Sequence, residues 1–361
     1  MKSKGEKKIK VLVAMSGGVD SSLVAALLVK QGYDVTGGFI KNWSDTKDLE
    51  TGECEWRGER RDAIRVAAAL GIPLLTFDFE KQYRKLVVKE LFKGYGEGKT
   101  PNPDVLCNEY IKFGLFWEKA KKLGFDLIAT GHYAKVATDG KGCAKLFRGD
   151  DKEKDQSYFL YRVKQDALAH TLFPLGRYTK AQVRRMAKQL KLPVAEKPDS
   201  QGICFIGKIN FGEFLAKKIK PKLGDIVTPE GQVIGRHNGL HNYTIGQRHQ
   251  IKVADTHAWY VAGKDKKKNR LLVVRSSEDP RLSSNRLIME DLHWITGRPP
   301  EFPIKVLVQA RYRQKSVPAR LKSIKEGTAE LSFLIPIKAA AQGQSAVIYK
   351  GQECLGGGVI V

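Results

Sequence analysis

Residues 9–15, IKVLVAM, form a short and almost unbroken apolar run, and DVTGGFI at residues 34–40 forms a second. Between them DSSLVAALLVKQGY places its apolar positions at helical spacing and closes near Gly32. Short apolar runs bounded by turn residues predict strands, and the segment between them predicts a helix, so the chain opens with a βαβ unit. The alternation continues with RRDAIRVAAALG as helix, IPLLTFDF as strand, EKQYRKLVVKELFKGY and PDVLCNEYIKFGLFWEKAKKLG as helices, and FDLIATGHY as strand. Strands alternating with helices predict an α/β fold with a doubly wound parallel sheet. Two further helices, TKAQVRRMAKQLKL and NFGEFLAKKI, carry this first domain over residues 1–214.

The pattern then changes. From LGDIVTPEGQVIGRHNGLHNYTIGQR onward the chain reads as short strands broken by glycine-containing turns, and HAWYVAGKDKKKNRLLVVR reads as a hairpin with a charged loop. This predicts a small β-rich domain over residues 215–282. Over residues 283–361, IKVLVQARYRQKSVPARL, TAELSFLI and QSAVIYKGQECLGGGVIV predict an antiparallel barrel or sandwich.

A length of 361 residues suits two or three domains, each with its own core. No run of about 18 apolar residues is present, and the opening MKSKGEKKIK lacks an apolar signal core, so a soluble, intracellular chain is expected. Five scattered cysteines are not a disulfide framework; in a reducing compartment a bridge between two of them would be transient and catalytic. Charge changes the picture more. Lysine and arginine number 63 against 39 acidic residues, a net +24 spread through folded-looking segments such as RGERRDAIR, KKIKPK and KDKKKNR. A polyanionic partner is expected, RNA or DNA first.

The candidate chemistry starts with AMSGGVDSS, between the first strand and the first helix. Glycines there let backbone N–H groups approach an anion at a helix N-terminus, and Ser16, Ser21 and Ser22 add hydroxyls. There is no Gly-Lys-Ser/Thr ending, so this is not a Walker loop. The pattern SGGxDS instead resembles the pyrophosphate loop of ATP pyrophosphatases, which split ATP between its α and β phosphates and adenylate a substrate oxygen. Adenylation turns that oxygen into a leaving group, to be replaced by ammonia, an amine or sulfur.

Sulfur points to the cysteines. In PNPDVLCNEYIKFG, Pro103 ends any preceding helix, Asp104 is suited to the N-cap, and Cys107 then falls at the third helical position, where the helix dipole favours thiolate. A small apolar filler in the first turn fits the same position. Cys204, in KPDSQGICFIGKINF, sits in a glycine-containing segment that suits a sulfur carrier, although a buried strand cysteine fits ICFIG equally well. Cys54, Cys143 and Cys354 have no such setting. No CxxC occurs and the cysteines do not cluster with histidines, which disfavours zinc and iron–sulfur sites.

Together MSGGVDSS, FIKNW, TPNPDVLCNEYIKFG, ATGHYA, KDQSYFL, DSQGICFIG and GLHNYTIGQR closely resemble the bacterial tRNA-specific 2-thiouridylase family, in order and over nearly the whole chain. The resemblance implies an ATP site at Ala14, Met15, Ser16, Gly17, Gly18, Val19, Asp20 and Ser21, with further contacts at Ile40 and Gly131. The family commonly has methionine where this chain has Ile40, an exchange that an apolar or backbone contact tolerates.

The resemblance also implies Cys107 as nucleophile and Cys204 as the persulfide carrier, joined in a transient disulfide. Asn102, Pro103 and Asp104 would meet the target uracil, with Asp104 as an acid/base group. Contacts to tRNA would come from His132, Lys154, Asp155, Gln156, Arg311, Tyr312 and Gln344. His132 could instead pack beside the ATP loop, and Lys154 lies in a charge run that could be a solvated face. ATP with Mg²⁺, tRNAs for Lys, Glu and Gln, a cysteine desulfurase or sulfur-relay donor, a monomeric state and a cytoplasmic location complete what the family implies.

Rival readings explain less. An ATP pyrophosphatase that uses nitrogen accounts for SGGVDSS but not for the basic charge or the two cysteines. A non-catalytic RNA-binding protein accounts for +24 but leaves the intact loop and NPDVLCN without purpose.

Overall fold

The computed structural model describes residues 8–46, 54–199, 211–251, 253 and 258–361. Strands β1 (Lys10–Ala14), β2 (Asp34–Lys41), β3 (Leu74–Asp78), β4 (Leu127–Ala129) and a short strand Thr171–Leu172 form one five-stranded sheet, in spatial order β3, β2, β1, β4, then Thr171–Leu172. All of its pairings are parallel. Alternation along β1 explains why helices cover both faces. Leu12 points into one apolar cluster, with Phe116 and Ile128, while Val11 and Val13 point into another with Leu23 and Val24 of helix α1 (Val19–Lys30). Strand β2 carries Gly38 where a side chain would collide, since a Cβ there would lie 2.7 Å from the ring of Phe116. The glycine therefore lets the helical run 103–122, which bears Cys107, press directly on the sheet.

The middle of the chain forms a separate four-stranded sheet. In it Gly224–Val227 pairs with Val233–His237, and the expected hairpin is present as Tyr260–Asp265 paired with Arg270–Val274. The C-terminal strands Ser283–Trp294, Ile304–Gln309, Val317–Lys325, Thr328–Lys338, Ser345–Lys350 and Glu353–Ile360 pair antiparallel in a closed circuit. Closure comes from Met289 opposite Ile360 and Trp294 opposite Gly356, so of the two expected forms this is a barrel.

One element crosses the expected divisions. The hairpin Ala134–Thr138 and Ala144–Arg148, inside the nucleotide-binding half, adds to the barrel sheet through Phe147 opposite Glu353 and Leu146 opposite Cys354. The Cys354 thiol and Tyr349 consequently pack in the same apolar cluster as Leu146 and Tyr161. The barrel is thus fastened to the first domain by strand pairing and shared core.

Candidate active site

The turn between β1 and α1 is held by its own hydroxyls. Ser16 donates its N–H to Ser21 Oγ at 3.1 Å, and Ser22 Oγ donates to the Gly18 carbonyl at 2.8 Å. Gly17 has a φ of +72°, and a Cβ there would stand 2.2 Å from the Glu59 carbonyl oxygen of helix α2 (Glu55–Leu70), so only glycine fits. No side chain caps α1. Its first N–H groups therefore remain directed at whatever anion occupies the cavity in front of them.

That cavity has a volume of about 620 Å³. Every predicted loop residue except Gly17 lines it, together with the predicted Ile40, Asp104, Gly131, His132, Lys154, Gln156 and Tyr312. Gly17 instead packs behind the loop against α2. Gly131 is close-packed against the start of α1, where a Cβ would come within 3.1 Å of Asp20 Cβ and Ser21 N. The nucleotide loop, the start of the Cys107 helix and the barrel segment bearing Tyr312 and Arg313 thus share one space.

Lys180, a residue outside every quoted motif, joins motif residues in organising its charge. Lys180, at the start of helix Lys180–Gln189, donates to both oxygens of Asp20 at 2.7 and 2.9 Å, and Tyr133 Oη donates to Asp20 at 2.9 Å. Lys180 also pairs with Asp199 at 2.9 Å, as does Lys154 at 3.0 Å. Partial burial pushes the Asp199 carboxyl up, but hydrogen bonds from Lys180 and Lys154 outweigh it and hold the group well below the usual carboxylate range. Burial pushes Glu59 up to about 7, opposed by Lys197 and reinforced by Glu55 and Asp62. His132 Nδ1 lies 2.8 Å from Thr130 Oγ1, and burial followed by the nearby Lys112 charge drives its pKa far down. The imidazole is therefore neutral at physiological pH, packed between Phe113 and Phe173 at the cavity wall.

The helix start bearing Cys107 differs from expectation. Asn102 is the N-cap, its Oδ1 accepting from Asp104 N at 3.2 Å and Val105 N at 3.3 Å, with Pro103 at the first helical position. The Asx amide acceptor paired with proline outcompetes the aspartate one turn position later. Asp104 is thus relieved of capping and lines the cavity, and Cys107 falls at the fifth helical residue rather than the third. At that distance the dipole of the helix end has largely decayed. Cys107 is fully buried, packed in the apolar cluster with Val105 and Ile111. Cys204 lies outside the described residues.

The expected RNA contacts divide. Tyr312 packs on Phe159 with ring centroids 4.3 Å apart and the planes tilted by 48°, and Arg311 is exposed. Gln156 accepts from Tyr133 N at 3.0 Å. Gln344 donates to the Thr100 carbonyl at 2.7 Å, holding the lead-in to the Cys107 helix. Asp155 is 8% exposed, and its carboxylate accepts from Arg148 at 3.0 Å and from Gly149 N, Ser157 N and Ser157 Oγ. With Arg148 also bonded to Gln309 and Ser316 of the barrel, Asp155 ties the two parts together and has no lone pair directed outward. Among the described residues, no group of three or more His, Cys, Asp or Glu side chains could hold a metal ion, and no helix is long and apolar enough to cross a membrane.

Comparison with known proteins agrees with this architecture part by part. Residues 9–208 match the family described as tRNA methyl transferase HUP domain, 212–275 its PRC-barrel domain, and 284–360 the aminomethyltransferase beta-barrel domain. The tRNA-specific 2-thiouridylase MnmA of Methylobacillus flagellatus is 46% identical over 358 residues, covering 98% of this chain and 99% of that protein. Its namesake from Aromatoleum aromaticum is 47% identical over 366 residues, covering 98% and 97%. That of Nitrosomonas europaea is 46% identical over 360 residues, covering 98% of each. With such identity sustained from end to end, and with the phosphate loop and the Cys107 helix meeting in one cavity, the chain belongs to the tRNA-specific 2-thiouridylase family.

Proposed function

We propose that this protein uses ATP to replace the 2-oxygen of the wobble uridine of tRNA with sulfur, giving 2-thiouridine, AMP and pyrophosphate. The observation that carries this reading is the single cavity lined by the phosphate loop, by Asp104 at the start of the Cys107 helix, and by Tyr312 and Arg313 of the barrel. A nucleotide and a flipped-out base have to meet in one such space for an oxygen of the base to attack the α-phosphate.

Backbone N–H groups of the loop and the first turn of α1 hold the triphosphate, and Lys180 and Lys154 add positive charge beside it. Mg²⁺ supplies charge neutralisation when bound. It would ride on the nucleotide's own oxygens, since the carboxylate at the phosphate end, Asp20, already accepts from Lys180 through both oxygens and from Tyr133. Asn102, Pro103 and Asp104 position the uracil, and Asp104 serves as the acid/base group.

Attack of the uracil O2 on the α-phosphate expels pyrophosphate and leaves O2 adenylated and C2 open to a nucleophile. Sulfur arrives as a persulfide on Cys204, loaded by a cysteine desulfurase or sulfur-relay protein. Two routes conserve atoms and electrons. In one, the terminal sulfur attacks C2 and expels AMP, and the Cys107 thiolate then attacks Cys204 Sγ, leaving the sulfur on the base. In the other, Cys107 attacks Cys204 Sγ first and frees hydrosulfide, which displaces AMP. Both end in a Cys107 to Cys204 disulfide that an external thiol reduces. The substrates are the tRNAs for Lys, Glu and Gln, and the enzyme acts as a cytoplasmic monomer.

The test is thiolation of unmodified tRNA by Cys107→Ser and Cys204→Ser. Each is expected to lose thiolation while Cys204→Ser still converts ATP to AMP when tRNA is present. Full thiolation by either variant contradicts the scheme.

A further inference from the structure

Strand β2 ends at Lys41, and the next residue enters the wall of the cavity. That residue, Asn42, is 1% exposed, yet neither its Oδ1 nor its Nδ2 has a hydrogen-bond partner among the described residues. A primary amide buried with both ends unmatched is unfavourable in any folded protein, and such groups persist where a ligand completes them. Ile40, Trp43 and Trp56 line the same cavity. The phosphate loop lies on the neighbouring strand, with Ala14 opposite Gly38, so Asn42 stands beyond that loop along the same sheet edge. The phosphates are taken by the N–H groups of that loop. The heterocycle of the nucleotide then needs a wall that is apolar and flat apart from a polar group to read its edge, and Ile40, Trp43, Trp56 and Asn42 supply one.

We propose that Asn42 reads the adenine of ATP and sets the nucleotide specificity of the enzyme. Its Nδ2–H donates to N7 of adenine, and its Oδ1 accepts from the exocyclic amine, the pairing that an asparagine amide makes bidentately with adenine. A purine with oxygen in place of that amine presents an acceptor to Oδ1 and leaves the amide half unpaired, which is how buried polar groups discriminate strongly. This inference rests on the ATP-dependent reading above.

The experiment is calorimetric binding of ATP and inosine triphosphate, without tRNA, to the full-length wild type and to Asn42→Ala, followed by steady-state tRNA-dependent AMP formation. Wild type is expected to prefer ATP by roughly a hundredfold. Asn42→Ala is expected to weaken ATP binding by roughly tenfold or more, to bring the two nucleotides within about threefold of each other, and to leave tRNA affinity unchanged. Asn42→Leu, which removes the unmatched amide while filling its volume, is expected to raise the melting temperature without nucleotide and to abolish the nucleotide preference. Retention of the ATP preference in Asn42→Ala overturns the assignment, as does lost tRNA affinity with unchanged ATP binding, which would place the amide against the target base. A wild type that binds neither nucleotide overturns the ATP reading itself and the assignment with it.

Discussion

Asn102 and Asp104 stand two residues apart at one helix start, and the structure divides their work. Asn102 satisfies the first N–H groups, while Asp104 lines the cavity. Asn102→Ala is expected to cost about 0.5–2 kcal/mol in the local opening free energy of residues 104–107, read by native-state hydrogen exchange. Asp104→Asn should leave that exchange unchanged and slow single-turnover thiolation by roughly tenfold or more. Glu59 makes a second, pH-dependent prediction. Its folded pKa of about 7 lies above its ordinary value of 4.5, so between those two values the folded state holds a proton that the unfolded state releases. Stability from this group is full below 4.5 and is lost as pH rises through 7. Glu59→Gln should therefore raise the melting temperature at pH 8 and leave it nearly unchanged at pH 4.5, in paired thermal melts.

At the scale of elements, the lead-in to the Cys107 helix is held from two other parts of the molecule. The middle hairpin reaches it through Lys264, whose Nζ donates to the Gly98 carbonyl at 3.1 Å, and through Lys266, which donates to the Glu97 carbonyl. The barrel reaches it through Gln344 and through the Gln342 carbonyl, which accepts from Thr100 N at 2.8 Å. Burial, with Lys266 nearby, lowers Lys264 to about 8. Lys264→Met should speed amide exchange over residues 98–107 and lower the thiolation rate several-fold, with the KM for ATP unchanged. The βαβ alternation and the phosphate loop are legible in the sequence because their signals are local: apolar runs of strand length, a 3.6-residue period and a glycine-serine turn. The straps carry no such signal. Lys264, Lys266 and Lys180 look like any basic residues of a chain with net charge +24, and only the fold shows which carbonyl or carboxylate each one meets. The cap was the reverse case, where a local rule pointed to Asp104 and the geometry uses Asn102.

For the molecule as a whole, strand pairing joins the first domain to the last. The hairpin within residues 134–148 needs the barrel strand Glu353–Ile360 beside it, a pairing that no local pattern announces because the partners lie far apart in the sequence. A chain truncated after residue 282 loses that partner, exposes Leu146 and Tyr161, and is expected to bind a hydrophobic dye and to associate in size-exclusion chromatography. The basic excess also acts at this scale, and tRNA binding should weaken steeply as salt rises. One cavity brings together the phosphate loop and the start of the Cys107 helix, the arrangement on which the proposed thiolation rests. Its most direct test is mass spectrometry of nucleosides from unmodified tRNA incubated with the protein, a persulfide donor, and either ATP or no nucleotide. The expected result is 2-thiouridine at the first anticodon position, one AMP released for each sulfur inserted, and none of either without ATP. Thiouridine formed without ATP, or ATP consumed with tRNA and sulfur donor present while the uridine stays unmodified, contradicts it.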